Sequence, residues 1–283
     1  MSENAYDLTL FIKNSFDGTI EYLKKNNIEI EGKLSLVTLE SYEEYQQKYG
    51  TNPRIHVGEY DRMRNEVHII KNRLKEVINR DINDPDKIFI GNLFTVYHNG
   101  ILWPVYKNDN DIEKVIANAV TDSIVTHEIG HSIVGDEWRT SAFEFLVYFY
   151  KNELYKYPEV YKIMEENVEI CDEYIKKKDP SSSYSLGSPL APYSFGSCFA
   201  NDIIYVYENV LNKNKESPKL NIKDTIEKFK YFSKDYYVEI TRTLNMILID
   251  YIDIAKTLNA KYTILSWITN CLLEKPPNMI NNI

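Results

Sequence analysis

The chain has 283 residues, with 33 Lys and Arg against 42 Asp and Glu, a formal net charge of −9. That balance argues against nucleic acid and against anionic membrane surfaces as partners. A hydrophobic content of 43% is ordinary for a soluble chain with enough residues for a sizeable core.

The N-terminus, MSENAYDLTLFIKNSF, has no basic stretch followed by an apolar run and does not read as a secretory signal. No segment has the roughly 18 uncharged apolar residues of a membrane span; the nearest, 244–258, is interrupted by Asp250 and Asp253. A cytoplasmic location is therefore expected. Cys171, Cys198 and Cys271 are odd in number and none falls in CxxC spacing, so buried free thiols are expected rather than a disulfide framework.

In chain order, residues 7–26 carry helical periodicity through Leu10, Phe11, Phe16, Ile20 and Leu23. KLSLVTLE at 33–40 alternates as a strand does. Ser41 is placed to cap a short helix that Gly50 closes. Strands follow at 54–60 and 66–71, then a charged helical piece, NRLKEVINR. Within KIFIGNLFTVYHNGILWPVYK, His98-Asn99-Gly100 predicts a hairpin, because Asn-Gly suits a tight turn. Its strands are candidates to bind an extended peptide along an edge.

From residue 110 the pattern is mostly helical. DIEKVIANAVTDSIVTHEIGHSIV at 111–134 is one helix, Gly135 a stop, and Asp136 the cap of a second helix over 136–156. Helices are also expected at 158–178, 198–213, 221–233, 236–258 and 261–274. A Ser/Pro/Gly-rich loop at 179–196 lies between, a candidate lid. The fold class expected is α+β: a small mixed sheet subdomain packed on the 111–134 helix within residues 1–155, then a mostly helical region over 156–283.

Chemistry is concentrated in His127-Glu128-Ile129-Gly130-His131. Helical positions i and i+4 share a face, so His127 and His131 can hold one metal ion from the same side. Glu128, one residue along, projects beside the metal and suits a general base toward a metal-activated water. The apolar neighbours Val120, Ile124 and Val134 share the histidine face, and two buried imidazoles need partners that a metal supplies. The remaining histidines, His56, His68 and His98, read as strand or surface residues. A catalytic zinc site takes three protein ligands and leaves a fourth position open. If the second helix runs back antiparallel, Glu137 meets His131 and is the first choice for the third ligand. Ser141 then faces His127 as a hydrogen-bonding support, and Glu144 is the alternative third ligand.

HEIGHSIV followed by EWRTSAFEF resembles the gluzincin class of zinc metallopeptidases, in which HExxH on one helix is completed by a Glu on the next, often in an ExxAD or ExxxD setting. Glu137-Trp138-Arg139-Thr140-Ser141 stands in that setting, with Ser141 where Asp is usual, and the gap from His131 to Glu137 is shorter than in most members. The metzincin pattern fits less well: Glu stands where its third histidine would fall, and Gly occupies 135 rather than 134. The resemblance covers about residues 120–150, and more weakly 7–155. It implies a zincin-like fold, one Zn2+ per chain, hydrolysis of a peptide or protein substrate, and an oxyanion donor, for which Tyr193 and Tyr184 in the 179–196 loop are the candidates. A catalytically inactive, zinc-stabilised interaction protein on the same fold is the alternative.

Overall fold

The computed structural model describes residues 7–50, 57–84, 87–90, 93–98, 101–106, 111–176, 196–198, 200–201, 204–205, 208–209, 212, 217–218 and 220–230. The expected helices over 236–258 and 261–274 lie outside the described residues. What is described is mixed α and β, mostly helical with two small sheets, in keeping with an α+β class.

Helix α1 (Leu8–Lys25) is capped by Asp7, whose side chain accepts from the Leu10 amide. It buries Leu8, Phe11, Ile12, Phe16 and Leu23 along one stripe; of the expected positions Ile20 is half-buried, and Leu10 faces outward at 50% exposure. Strand β1 (Ser35–Leu39) leads to α2 (Tyr42–Tyr49), with Ser41 accepting from Glu44 N and Gly50 left-handed at φ 69. Strands β2 (Gly58–Asp61) and β3 (Glu66–Ile70) form an antiparallel hairpin, and β1 pairs with β3 in parallel. The sheet order β1-β3-β2 puts β2 at its end. Val67 and Ile69 on β3 are fully buried in the main core, while Ile70 belongs to a second cluster with Leu39 and Tyr45 beneath α2. This is the two-faced burial that strand alternation demands.

After α3 (Lys71–Ile82) comes a second antiparallel sheet, β4 (Ile88–Ile90), β5 (Leu93–His98) and β6 (Ile101–Tyr106). The His98↔Ile101 pairing leaves two residues, Asn99 and Gly100, between the strands, as the Asn-Gly signal requires. Helix α4 (Ile112–His131) packs on α1, α3, β2 and β3, and α5 (Glu137–Lys151) packs on α4. Helix α5 ends five residues before the expected boundary: Asn152 is the cap, Glu153 takes φ 53, and a 3-10 turn (Leu154–Lys156) leads into α6 (Pro158–Lys176). The EWRTSAFEFLVYFYKNELYKY pattern stays apolar through this turn because Leu154 and Tyr155 are buried in the turn itself. The last helix among the described residues, α7 (Ile222–Lys230), contributes Ile222 and Ile226 to the same core as Leu8.

A buried polar knot ties three helices one turn below the histidines. Lys151 reaches Asp122, donates to Thr19 Oγ1 at 2.8 Å, and lies 3.5 Å from Thr126 Oγ1; the two threonine hydroxyls are 3.1 Å apart. Removing the ammonium would strand a buried carboxylate, so α1, α4 and α5 are fixed to one another here.

One expectation is corrected. Cys198 is disulfide-bonded rather than a free thiol; an odd count still allows one pair among three cysteines, and spacing says nothing of long-range pairing. The β5–β6 hairpin packs against α3, α4 and α6, and β2 also lies against α4. No described helix is long and apolar enough to cross a membrane.

Candidate metal centre

Helix α4 carries His127, Glu128 and His131 on its last turns. Gly135 then takes φ +93, a left-handed value that a side chain disfavours. Asp136 accepts from Arg139 N at 3.2 Å and starts α5. Contacts between the helices run in opposite numerical directions, 131 with 140, 127 with 144 and 123 with 144, so α5 returns antiparallel to α4. The approach is close because Gly130 faces α5 with no side chain: a Cβ there would meet Phe143 Cδ1 at 2.7 Å and Thr140 Cγ2 at 3.0 Å.

The hairpin brings three donors together. His127 Nε2 lies 3.3 Å from Glu137 Oε2, and His131 Nε2 lies 3.5 Å from the same oxygen. All three ligand atoms fall within 4.8 Å of one another. Ligands about 2.05 Å from a tetrahedral zinc stand roughly 3.3 Å apart along each edge, so both measured separations match a tetrahedral edge. The two rings stand nearly perpendicular, 82° apart with centroids at 4.9 Å.

What holds the rings explains why the Nε2 atoms converge. His127 Nδ1 is 3.0 Å from Glu144 Oε2, and the other Glu144 oxygen accepts from the Ser123 hydroxyl. His131 Nδ1 is 3.1 Å from the Gly135 carbonyl and 3.3 Å from Thr140 Oγ1. Each Nδ1–H therefore has an acceptor behind it, which leaves each Nε2 lone pair for a cation. The three donors fit a zinc ion in number, type and separation.

Glu144 thus lies behind His127 on the side away from Glu137, and Glu137 completes the ligand group. Ser141 is buried, but among the described residues its hydroxyl has no hydrogen-bond partner and meets neither histidine. The supporting role comes instead from Glu144 and Ser123 for one ring, and Thr140 and a backbone carbonyl for the other. Seven residues on from Glu137, Glu144 sits two helical turns away on the same face, so helix geometry alone did not separate the roles of ligand and support. Ser123 and His127 are an i, i+4 pair on α4, a signal that was available. The Gly135 carbonyl is a backbone group and left none. Tyr184 and Tyr193 lie outside the described residues.

Electrostatically the group is strongly coupled. Burial opposes charge on His127, yet its hydrogen bonds to Glu137 and Glu144 outweigh that and raise its pKa to about 10. Burial likewise opposes charge on His131, and the Glu137 carboxylate again wins, raising its pKa. Glu137 is held well below the usual carboxylate range: partial burial works upward, but the two imidazoles dominate. Glu128 behaves differently. Burial drives its pKa up, with Glu137 and Glu59 adding to the rise and the two histidines opposing it. It is 7% exposed and stands outside the ligand group. Strand β2 covers it: a Cβ on Gly58 would lie 2.9 Å from Glu128 Oε1. A glycine inside a strand pattern signals close approach of another group, and at Gly58 that group is the Glu128 side chain.

No protein-family model, curated protein or solved structure matches the chain.

Proposed function

We propose that this chain is a zinc-dependent metallopeptidase on a zincin-like fold, of the gluzincin type, with His127, His131 and Glu137 as ligands and Glu128 as general base. The observation that carries the reading is the division of labour among three carboxylates on one helical hairpin. Glu137 shares a point with both Nε2 atoms, Glu144 backs His127, and Glu128 stays outside the ligand group. A purely structural zinc site is usually closed by four protein ligands, whereas a catalytic site takes three and keeps a position open.

Zinc, when bound, supplies a water acidified toward a pKa of about 7 and a polarised substrate carbonyl. The protein's own groups do the rest. Glu128 takes the proton of the attacking water and returns it to the departing amine, a task suited to a carboxylate whose pKa burial raises above the usual value. Glu144 and Ser123 keep the His127 ring in one orientation, and Thr140 with the Gly135 carbonyl do so for His131. Strand β2, at the end of its sheet and in contact with Glu128, is placed to add an extended peptide by main-chain hydrogen bonds.

The test is direct. The purified protein is expected to hold one zinc by mass spectrometry and to cleave casein or a peptide library in a chelator-sensitive way. Glu128→Gln is expected to keep its zinc and lose turnover by about 10²–10⁴-fold. A protein that carries no zinc and shows no chelator-sensitive cleavage sinks the reading. Stoichiometric zinc without turnover, unchanged by Glu128→Gln, replaces it with the zinc-stabilised interaction protein.

A further inference from the structure

We propose that Gly58 is a positioning residue for the general base: the bare backbone of β2 seats the Glu128 side chain, so that one strand fixes both the base and the peptide to be cut. The proposal rests on the peptidase reading of the same site.

The geometry is specific to this glycine. A Cβ at position 58 would meet Glu128 Cγ at 2.7 Å, Oε1 at 2.9 Å and Cδ at 3.1 Å. All three atoms belong to one side chain, that of the base. The contrast with Gly196 is informative: there a Cβ would meet the Trp138 carbonyl oxygen at 1.9 Å and the Ala142 nitrogen at 3.0 Å, backbone atoms that cannot yield locally. Gly58 does not take a positive φ, so conformational freedom does not explain the residue. The nearby carboxylate does.

The strand cannot easily retreat from an added methyl group. Gly58 pairs with Ile69 in the β2–β3 ladder, and Ile70 N donates to Val57 O at 2.9 Å just beyond it. On the next residue, Tyr45 Oη donates to Glu59 Oε2 at 2.7 Å and ties β2 to α2. Helix α4 is fixed from below by the Lys151 knot. The Glu128 side chain is the one mobile partner, and its Cγ must give way by roughly 0.7 Å to reach ordinary contact at 3.4 Å. The carboxylate swings farther than Cγ because it lies at the end of the lever. Misplacing a reacting group by about 1 Å can cost about 10²-fold in rate.

Gly58→Ala tests this in the full-length zinc-loaded protein. Zinc stoichiometry and affinity are expected to stay at the parental level, kcat to fall about 100-fold, and KM to stay within about threefold, the pattern of a group acting only in the transition state. A second measurement does not depend on activity. The drop in melting temperature caused by Gly58→Ala is expected to shrink by at least half in a Glu128→Ala background, whose side chain ends at Cβ and leaves room for the new methyl group. An unchanged kcat, a loss of zinc in step with the loss of activity, or the same melting penalty in both backgrounds overturns the proposal. If the parental zinc protein cleaves nothing, the peptidase reading fails by itself, and the melting comparison still decides whether Gly58 seats Glu128.

Discussion

Replacing Glu144 with Ala removes the acceptor behind the His127 ring and leaves zinc-ligand chemistry formally intact. Two buried groups lose their partner, His127 Nδ1 at 3.0 Å and the Ser123 hydroxyl. Glu144 itself is 3% exposed, so water does not readily take its place. Loss of such an outer partner costs about 10–100-fold in metal affinity, or about 1.4–2.7 kcal/mol. Leaving buried polar groups without partners costs, in addition, about 1–3 kcal/mol of folding stability for each. Glu144→Gln is the matched control. Its amide oxygen can still accept from Nδ1–H, so its zinc affinity is expected within about tenfold of the parent. The assay is competition for zinc against a chromophoric chelator, run beside Glu137→Ala, with stoichiometry read at saturation. The expected order of affinity is parent, Glu144→Gln, Glu144→Ala, Glu137→Ala. If Glu144→Ala abolishes zinc as completely as Glu137→Ala, Glu144 is a ligand and not a support. If Glu144→Ala binds zinc like the parent, the His127–Glu144 contact does not orient the ring.

Other outcomes follow from the same geometry. Gly130→Ala forces a methyl group against Phe143 Cδ1 and Thr140 Cγ2, which stand 2.7 and 3.0 Å from the new atom. It is expected to cost about 1–3 kcal/mol of stability in a urea melt and to weaken zinc binding, because α5 carries Glu137; a melt and a zinc affinity equal to the parent's contradict the close packing. With its pKa raised to about 10, His127 is protonated at pH 7 in chelated protein, and zinc must displace that proton. Calorimetric titrations of zinc in buffers of different ionisation enthalpy are expected to show release of at least one proton per zinc at pH 7. Zinc affinity is expected to rise with pH up to about 10 and to fall on acidification. Proton release near zero would mean the imidazole is already neutral.

Much of this was legible in the chain because the signals are local. Asp7, Ser41, Asp111 and Asp136 all cap the helices that follow them. Helix α4 ends at His131, three residues short of the expected 134, and left-handed Gly135 lets the chain reverse within the five residues between His131 and Glu137. Apolar spacing placed both β3 and α4. What escaped was set by distance in the chain. Glu144 and Glu137 lie on one face of one helix, and only the depth at which α5 packs on α4 decides which carboxylate reaches the Nε2 atoms. That depth is set by Gly130 against Phe143, a packing detail without a sequence period. The strand beside Glu128 escaped for a related reason. Strand β2 reads GEYD, without an apolar alternation to mark it as covered, and only the sheet order, with β3 between β1 and β2, brings it against α4. The disulfide at Cys198 belongs to the same class of long-range fact.

All three side chains of the candidate metal centre, and the groups behind two of them, come from a single stretch that begins at Ser123 and ends at Glu144. Closing so short a loop costs little chain entropy, since that cost grows only with the logarithm of loop length. A metal ion can therefore draw α4 and α5 together while the rest of the polypeptide is still searching, and the free energy of metal capture becomes folding free energy at that point. Glu128 is the exception in the site: its surroundings include Gly58, contributed from 70 residues earlier in the chain. On the proposed reading the hairpin can hold a metal before the sheet docks, whereas Glu128 takes its position only when β2 arrives. Metal affinity and turnover should separate along the folding pathway, the first an early and local property, the second a late property of the assembled fold.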